Sequence, residues 1–560
     1  MDPGPEINGI ARGTRIGSLK GVLPTSPDGK TMLIAINRRR IPPPILRMGG
    51  VIPKKEKIFE PKKLKIRRIR SPKENSRTRI NRCFLGEYLS RSFINTGIFP
   101  KTLLMKNREM PIERYKESDD IFSSNNKFIL IFFTINLSAI LYQNNIIRHY
   151  FYMEKKTYKI VTLGCRTNQY ESQAYSDQLK KMGFVEASSG EKPDICIVNT
   201  CTVTESADRK SLYQIRKLAR DFSPEKLIVT GCLAEREGDI ISKIGNVTHV
   251  VPNSKKEELL QLAFPDEELP EFKIERFEAH TRAFVKIQDG CDSFCSYCII
   301  PMVRGRSKSK TVPEILKEIE DLVANGYKEV VLTGINIGDF DGASHPPIRL
   351  HQLIEKVDEI PGLHRIRVSS IDPDEVDDDL LHAIVHGKKT CQSMHIVLQA
   401  GSNLTLKRMR RKYTRQDFLY AINRLKKESP DFTFTTDVIV GFPGETEEEF
   451  QETLDLIETV RFTKVHIFPY SDRPKTRASR MVDKINPTVI MDRKQRTSIL
   501  SERMGFCLRE SYLNREMEVL LEDESKEHPG HITGHTGNFL PIIVPKQGLK
   551  PNDLIQVKCI

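Results

Sequence analysis

From residue 158 onward the chain alternates short β-branched runs with amphipathic stretches of helical period, the pattern of parallel strands joined by crossover helices. A first block predicts strands at 158–163, 195–199 and 227–230. A second block starts near Thr281 and predicts strands at 283–288, 329–333, 365–370, 393–398, 435–440 and 464–468. Six strand–helix units, two short of the usual eight, predict an open partial barrel with a wide mouth. After Arg515 the helical period ends. Short strands with glycine turns, at 517–521, 532–533, 539–544 and 554–558, predict a small all-β barrel. The expected fold class is α/β in three parts. These are a three-layer α/β domain over 156–265, an open (βα)6 barrel domain over 275–510 and an all-β domain over 511–560. No internal repeat is visible.

Residues 1–152 break this pattern. They hold basic runs (Lys62-Lys63-Leu64-Lys65, Arg67-Arg68), a proline cluster (Pro42-Pro43-Pro44) and no sustained period. A disordered basic extension is one reading. A mis-extended start is the favoured one, because Met153-Glu154-Lys155-Lys156 stands immediately before the first strand. The apolar run 128–142 is 15 residues long and contains Asn136. A bilayer-spanning helix needs roughly 20 apolar residues, so no membrane span is expected.

The net charge of +14 over 560 residues invites a nucleic-acid partner, but its location weakens that inference. Residues 1–150 carry 29 Lys and Arg against 12 Asp and Glu, a net of +17, whereas the other 59 and 62 give −3. RNA binding by the body must therefore use local patches. Two are available: Lys407, Arg408, Arg410, Arg411, Lys412 and Arg415, and the group Arg304, Arg306, Lys308 and Lys310. Either could contact phosphates at the barrel mouth, or form a solvated face.

Eleven cysteines, an odd number at scattered spacings, do not suit a secreted disulfide framework and fit a reducing, cytoplasmic setting. Cys291, Cys295 and Cys298 form CxxxCxxC in a loop after the first barrel strand. Three thiolates on one loop can hold three irons of a 4Fe–4S cluster and leave the fourth open. A structural zinc site would want four ligands. Cys165, Cys201 and Cys232, separated by 36 and 31 residues, each follow a predicted strand of the first block. Parallel strands end together, so these thiols can converge at one sheet edge. Cys196 lies inside a strand and reads as core packing. Cys83, Cys391, Cys507 and Cys559 show no partner pattern.

At these residues the chain resembles the radical S-adenosylmethionine (SAM) superfamily, and the three separated cysteines resemble its methylthiotransferases. The likeness spans residues 158–560. Thr162-Leu163-Gly164-Cys165-Arg166-Thr167-Asn168-Gln169-Tyr170-Glu171 and Gln288-Asp289-Gly290-Cys291-Asp292-Ser293-Phe294-Cys295 look like the branch acting on threonylcarbamoyladenosine in tRNA. Arg166-Thr167 suits neither the isopentenyladenosine branch nor the ribosomal-protein branch. The C-terminal region resembles the RNA-binding TRAM module. The resemblance implies two 4Fe–4S clusters, one on Cys291, Cys295 and Cys298 that binds SAM, and one on Cys165, Cys201 and Cys232 that serves sulfur insertion. It implies SAM-pocket positions at Tyr297, Thr333, Gly334, Gln399 and Gly441. It also implies a tRNA substrate, an electron donor such as flavodoxin or ferredoxin, and a monomer in the cytoplasm. The competing readings are a methylthiotransferase for isopentenyladenosine tRNA or a ribosomal protein, and a non-catalytic iron–sulfur RNA-binding protein.

Overall fold

In the computed structural model the described residues are 156–276 and 281–560, with the two-residue strand Thr31–Met32. Cys83, the apolar run 128–142 and the rest of the 1–152 extension lie outside them.

The first block is a parallel sheet. Its three long strands are β1 (Thr157–Thr162), β2 (Ile195–Thr200) and β3 (Lys226–Gly231). Two-residue strands Val185–Glu186 and His249–Val250 flank them, in the spatial order 185–186, β1, β2, β3, 249–250. Helices α1 (Arg166–Lys181), α2 (Glu205–Asp221) and α3 (Cys232–Ile241) make the crossovers. The chain runs from β1 to one side and then returns to the other, so the sheet has a switch point at the carboxyl end of β1, where such folds place their sites. β2 is buried along its whole length, as a central parallel strand must be, and Cys196 is fully buried within it.

The second block is six parallel strands in sequential order. β4 (Arg282–Lys286), β5 (Glu329–Thr333) and β6 (Arg365–Val368) form one half. β7 (Ser393–Ile396), β8 (Thr433–Val440) and β9 (Lys464–Pro469) form the other. The expected strand 365–370 is interrupted at Ser369. Ser370–Ile371 continues it but pairs with β7, so this break turns the sheet from one half to the other. Helices cover the outside, among them Val312–Ala324, whose start is fixed by a capping box between Thr311 and Glu314. One large apolar cluster runs between strands and helices, and it includes Tyr170 and Ala174 of α1. The first block therefore docks on the barrel through α1.

After the long helix Pro487–Glu510 comes an antiparallel region of β10 (Glu516–Glu524), β11 (His531–Thr536), β12 (Pro541–Pro545) and β13 (Leu554–Cys559). The order is β13, β10, β11, β12, with Thr31–Met32 parallel to β13. Alternate residues Val519, Leu521, Ile532, Ile542 and Val544 fill its core. Among the described residues no helix is long and apolar enough to cross a membrane.

Candidate active site

The register of the first sheet levels the strand ends. Asn199 faces Thr162, and Thr200 faces Gly231. Cys201 and Cys232 are the next residues on their strands, and Cys165 follows β1 by one short turn. Two glycines make the approach close enough. Gly164, at φ +106°, would place a Cβ 2.9 Å from Cys201 Cβ and 3.1 Å from its Sγ. Gly231, at φ +93°, would place one 2.4 Å from the Thr200 carbonyl. Any side chain at either position would push the turns apart. The three thiols are near enough to feel one another's charge. Cys165 caps α1 and Cys232 begins α3, so two helix N-termini favour negative charge there.

Cys291, Cys295 and Cys298 lie on the loop after β4, at the carboxyl end of the barrel strands. Donors already point at its sulfurs. Arg411 Nη1 lies 2.9 Å from Cys295 Sγ, and the Ser293 amide donates to Cys291 Sγ at 3.4 Å. Burial pushes the Cys298 thiol up to about 12 and the Cys201 thiol up to about 11. Among the described residues, the group of three metal-type side chains gathered within 4.8 Å is His395, Asp437 and His466, and neither cysteine triad is packed that tightly. Spread thiols with aimed donors suit a cluster whose irons are ligated separately, not a single ion.

The expected SAM-pocket positions ring the same mouth. Thr333 ends β5 and is buried. Gly334 follows it, where a Cβ would sit 2.9 Å from Gln288 Oε1. Gln399 has φ +61° and a buried Oε1 that makes no hydrogen bond among the described residues. Gly441 follows β8 and donates its amide to Glu445 Oε2 at 2.7 Å. The Tyr297 ring meets Phe442 edge-on at 6.4 Å. An orphaned amide oxygen at a barrel mouth is what a polar cofactor would satisfy.

Several basic residues expected at an RNA-binding surface do other work. Arg304 has a fully buried side chain. It ion-pairs with Glu171 at 3.1 Å and Asp289 at 2.8 Å, and its Nε donates to Cys232 Sγ at 3.3 Å. Lys310 binds Glu318 and the Tyr170 hydroxyl. Arg411 pairs with Asp372, and Arg408 with Glu449. Arg415 donates to the carbonyls of Gly401 and Glu452. Only Arg306, Lys308, Lys407, Arg410 and Lys412 of these patches remain exposed.

Arg304 thus joins the two cysteine loops, since it follows Cys298 in sequence and reaches Cys232 in space. Around it lies a buried network. Lys256 pairs with Glu171 and Asp289, and Lys286 sits 3.8 Å from Glu171 and 3.7 Å from Asp289. Burial opposes ionisation of Glu171, but Arg304, then Lys256 and Lys286, outweigh it and hold the carboxyl well below its ordinary range. The same cations act on Asp289 in the same direction. Sequence patterning missed this network. Its signal was the buried face of α1, which carries Thr167, Asn168, Glu171 and Ser172 where apolar residues would be expected.

A partial parallel barrel with a CxxxCxxC loop at its mouth defines a radical SAM enzyme. A family model for the radical SAM superfamily matches residues 285–457, and one described as uncharacterized protein family UPF0004 matches residues 157–252. The threonylcarbamoyladenosine tRNA methylthiotransferase MtaB of Chlamydia pneumoniae is 46% identical over 408 residues, covering 72% of this chain and 95% of the relative. That of Bacillus subtilis is 37% identical over 401 residues, covering 68% and 89%. The tRNA-2-methylthio-N(6)-dimethylallyladenosine synthase of Finegoldia magna is 34% identical over 404 residues, covering 68% and 87%. The chain belongs to the radical SAM methylthiotransferase family.

Proposed function

We propose that the chain inserts a methylthio group at carbon 2 of N6-threonylcarbamoyladenosine beside the anticodon of tRNA, using SAM and two 4Fe–4S clusters. The observation that carries the reading is the pair of cysteine triads bridged by Arg304, in a chain 46% identical to a relative named for that reaction. Cys291, Cys295 and Cys298 hold the SAM-binding cluster, and Cys165, Cys201 and Cys232 hold the second. When bound, these groups supply one-electron cleavage of SAM and the sulfur to be transferred, chemistry that acid–base side chains cannot perform at a non-acidic carbon.

The chain's own residues bind and orient. Arg411 and the Ser293 amide donate to the first triad, and Arg304 donates to the second. Gly334 and Gly441 stand at the strand ends where the methionine end of SAM would be held. Thr333, Gln399 and Tyr297 line the same pocket. The α/β block over 156–265, the barrel over 275–510 and the all-β region over 511–560 act as sulfur-insertion, radical and RNA-binding domains. The enzyme works as a monomer in the cytoplasm with an external electron donor of the flavodoxin or ferredoxin type.

Nucleoside mass spectrometry of tRNA from a deletion strain tests the reading. The methylthio form of threonylcarbamoyladenosine should vanish, return with the wild-type chain, and stay absent with Cys201→Ala. Unchanged levels in the deletion strain, or loss of the isopentenyladenosine product instead, would overturn the substrate assignment.

A further inference from the structure

Arg166 reaches from the first block to the barrel strands. It opens α1 directly after Cys165, and its guanidinium lies 5.7 Å over the Phe284 ring on β4. The charges of Arg282, Arg367 and Asp437, all on barrel strands, act on it. Arg282 is already held by Glu522 at 3.1 Å and Arg367 by Glu329 at 2.8 Å. Arg166 makes no ion pair and no hydrogen bond with any described residue. Arg166 is partly exposed, so its N–H groups stay open to a ligand that brings acceptors.

The surroundings say which ligand. His395, Asp437 and His466 form a polar cluster on β7, β8 and β9. His395 Nδ1 is 2.9 Å from Thr435 Oγ1, and its Nε2 faces Asp437 at 3.4 Å without a hydrogen bond. The charge of Arg166 reaches His466. The site therefore offers an aromatic wall, a cation in no direct ion pair and short-range donors and acceptors. That combination suits a small group bearing a carboxylate and a hydroxyl, and it ill suits an apolar alkyl chain.

We propose that Arg166 determines substrate specificity by pairing with the free carboxylate of the threonyl group on N6 of the target adenosine, within the chamber walled by Phe284, His395, Asp437 and His466. The inference rests on the threonylcarbamoyladenosine reading above and names the residue that enforces it. An analogue lacking the carboxylate leaves the guanidinium unpaired, which is how a site built on a polar contact rejects its near neighbours.

The test uses the reconstituted holoenzyme and three anticodon stem-loops: one with threonylcarbamoyladenosine, one with the same nucleoside as its carboxyl methyl ester, and one with plain adenosine. Fluorescence anisotropy at fixed salt gives each affinity. Wild-type protein should bind the acid about tenfold or more tighter than the ester, as a charge-assisted contact predicts. Arg166→Gln should reduce that ratio to within about twofold, and Arg166→Lys, which keeps the charge but loses the planar fork and the stacking on Phe284, should keep part of it. Iron content, measured on each variant, checks that the neighbouring Cys165 site is undisturbed. Equal binding of acid and ester by the wild type overturns the proposal without needing a variant. So does an Arg166→Gln protein that keeps the ratio, or one that loses iron and weakens all three RNAs alike, since Arg166 would then serve the thiolates instead. If the wild type neither prefers the modified stem-loop to plain adenosine nor methylthiolates it, the substrate reading falls and takes this proposal with it.

Discussion

Glu171→Gln tests whether the buried ion network is what docks the first sheet on the barrel. Glu171 is 1% exposed, with Oε1 2.8 Å from Lys256 Nζ and 3.1 Å from Arg304 Nη1. Its Oε2 accepts from Asn199 Nδ2 at 3.3 Å. Glutamine keeps the shape but leaves Arg304, Lys256 and Lys286 facing Asp289, with only the half-exposed Glu257 beside Lys286. Removing one partner of a buried pair costs about 3–5 kcal/mol, and the surviving Asp289 argues for the lower end, about 3 kcal/mol or roughly a hundredfold in the folding constant. Urea unfolding of the anaerobic protein, followed by tyrosine fluorescence because the chain has 15 Tyr and no Trp, measures the loss. The pH dependence gives a second check. The folded carboxyl is held below its unfolded value near about 4.3, so its contribution is complete above that pH and fades as pH falls through the depressed folded value. The wild type should therefore lose stability on acidification more steeply than Glu171→Gln. A variant within about 0.5 kcal/mol of wild type at pH 7, the range of an ordinary surface change, would refute the role assigned to the network.

Cys201→Ala should lower iron per chain by about half while 5′-deoxyadenosine formation from SAM persists, because each triad ligates its own cluster; loss of both together would show the triads are not independent. Substituting Gln at the exposed Lys407, Arg410 and Lys412 should lower the salt dependence of tRNA binding by up to about 3 in slope, at about one counterion per phosphate contact. An unchanged slope would clear this patch of RNA contact. Burial raises the thiols of Cys201 and Cys298 to about 11 and about 12, so iron must displace protons, and reconstitution should be more complete at higher pH. A flat pH profile between mildly acidic and mildly basic buffer would contradict that account. The cluster-free protein should behave in the opposite sense, since raised thiol values favour folding below the unfolded value near about 8.5 and that gain fades as pH rises.

The strands were legible because parallel, doubly covered strands are near-continuous apolar runs, as at Ile195–Thr200 and Glu329–Thr333. The convergence of Cys165, Cys201 and Cys232 was legible too, because thiols just past strand ends share an edge whatever the loop lengths. What pattern could not reveal is the destination of a long charged side chain. Arg304 and Arg306 look alike in sequence, yet one is enclosed against Glu171 and Cys232 while the other sits in solvent. Arg408, Arg410 and Arg411 divide the same way. A flexible side chain can turn to either face of a loop, and only the docking of α1 decides which face is interior. The break at Ser369 was invisible for a related reason. It is set by where the third strand must change partners, and a local window holds no record of partners.

Each triad is served by a guanidinium that is itself anchored by carboxylate. Arg411 pairs with Asp372 and donates to Cys295, and Arg304 pairs with Glu171 and Asp289 and donates to Cys232. A loose cation would neutralise a thiolate, but it would not hold a fixed N–H···S bond; the carboxylate removes that freedom and sets the donor's direction. The second arrangement also reaches across the interface between the two blocks. Arg304, Lys256 and Lys286 are matched by Glu171, Asp289 and, from the exposed side, Glu257 at 3.4 Å from Lys286, and Arg304 turns its Nε toward the sulfur. A buried guanidinium N–H aimed at sulfur binds a negative group more strongly than a neutral thiol. Thiolates committed to iron are such a group. Filling the Cys165, Cys201 and Cys232 site should therefore strengthen the docking of the first sheet on the barrel, so that loading and domain closure reinforce one another.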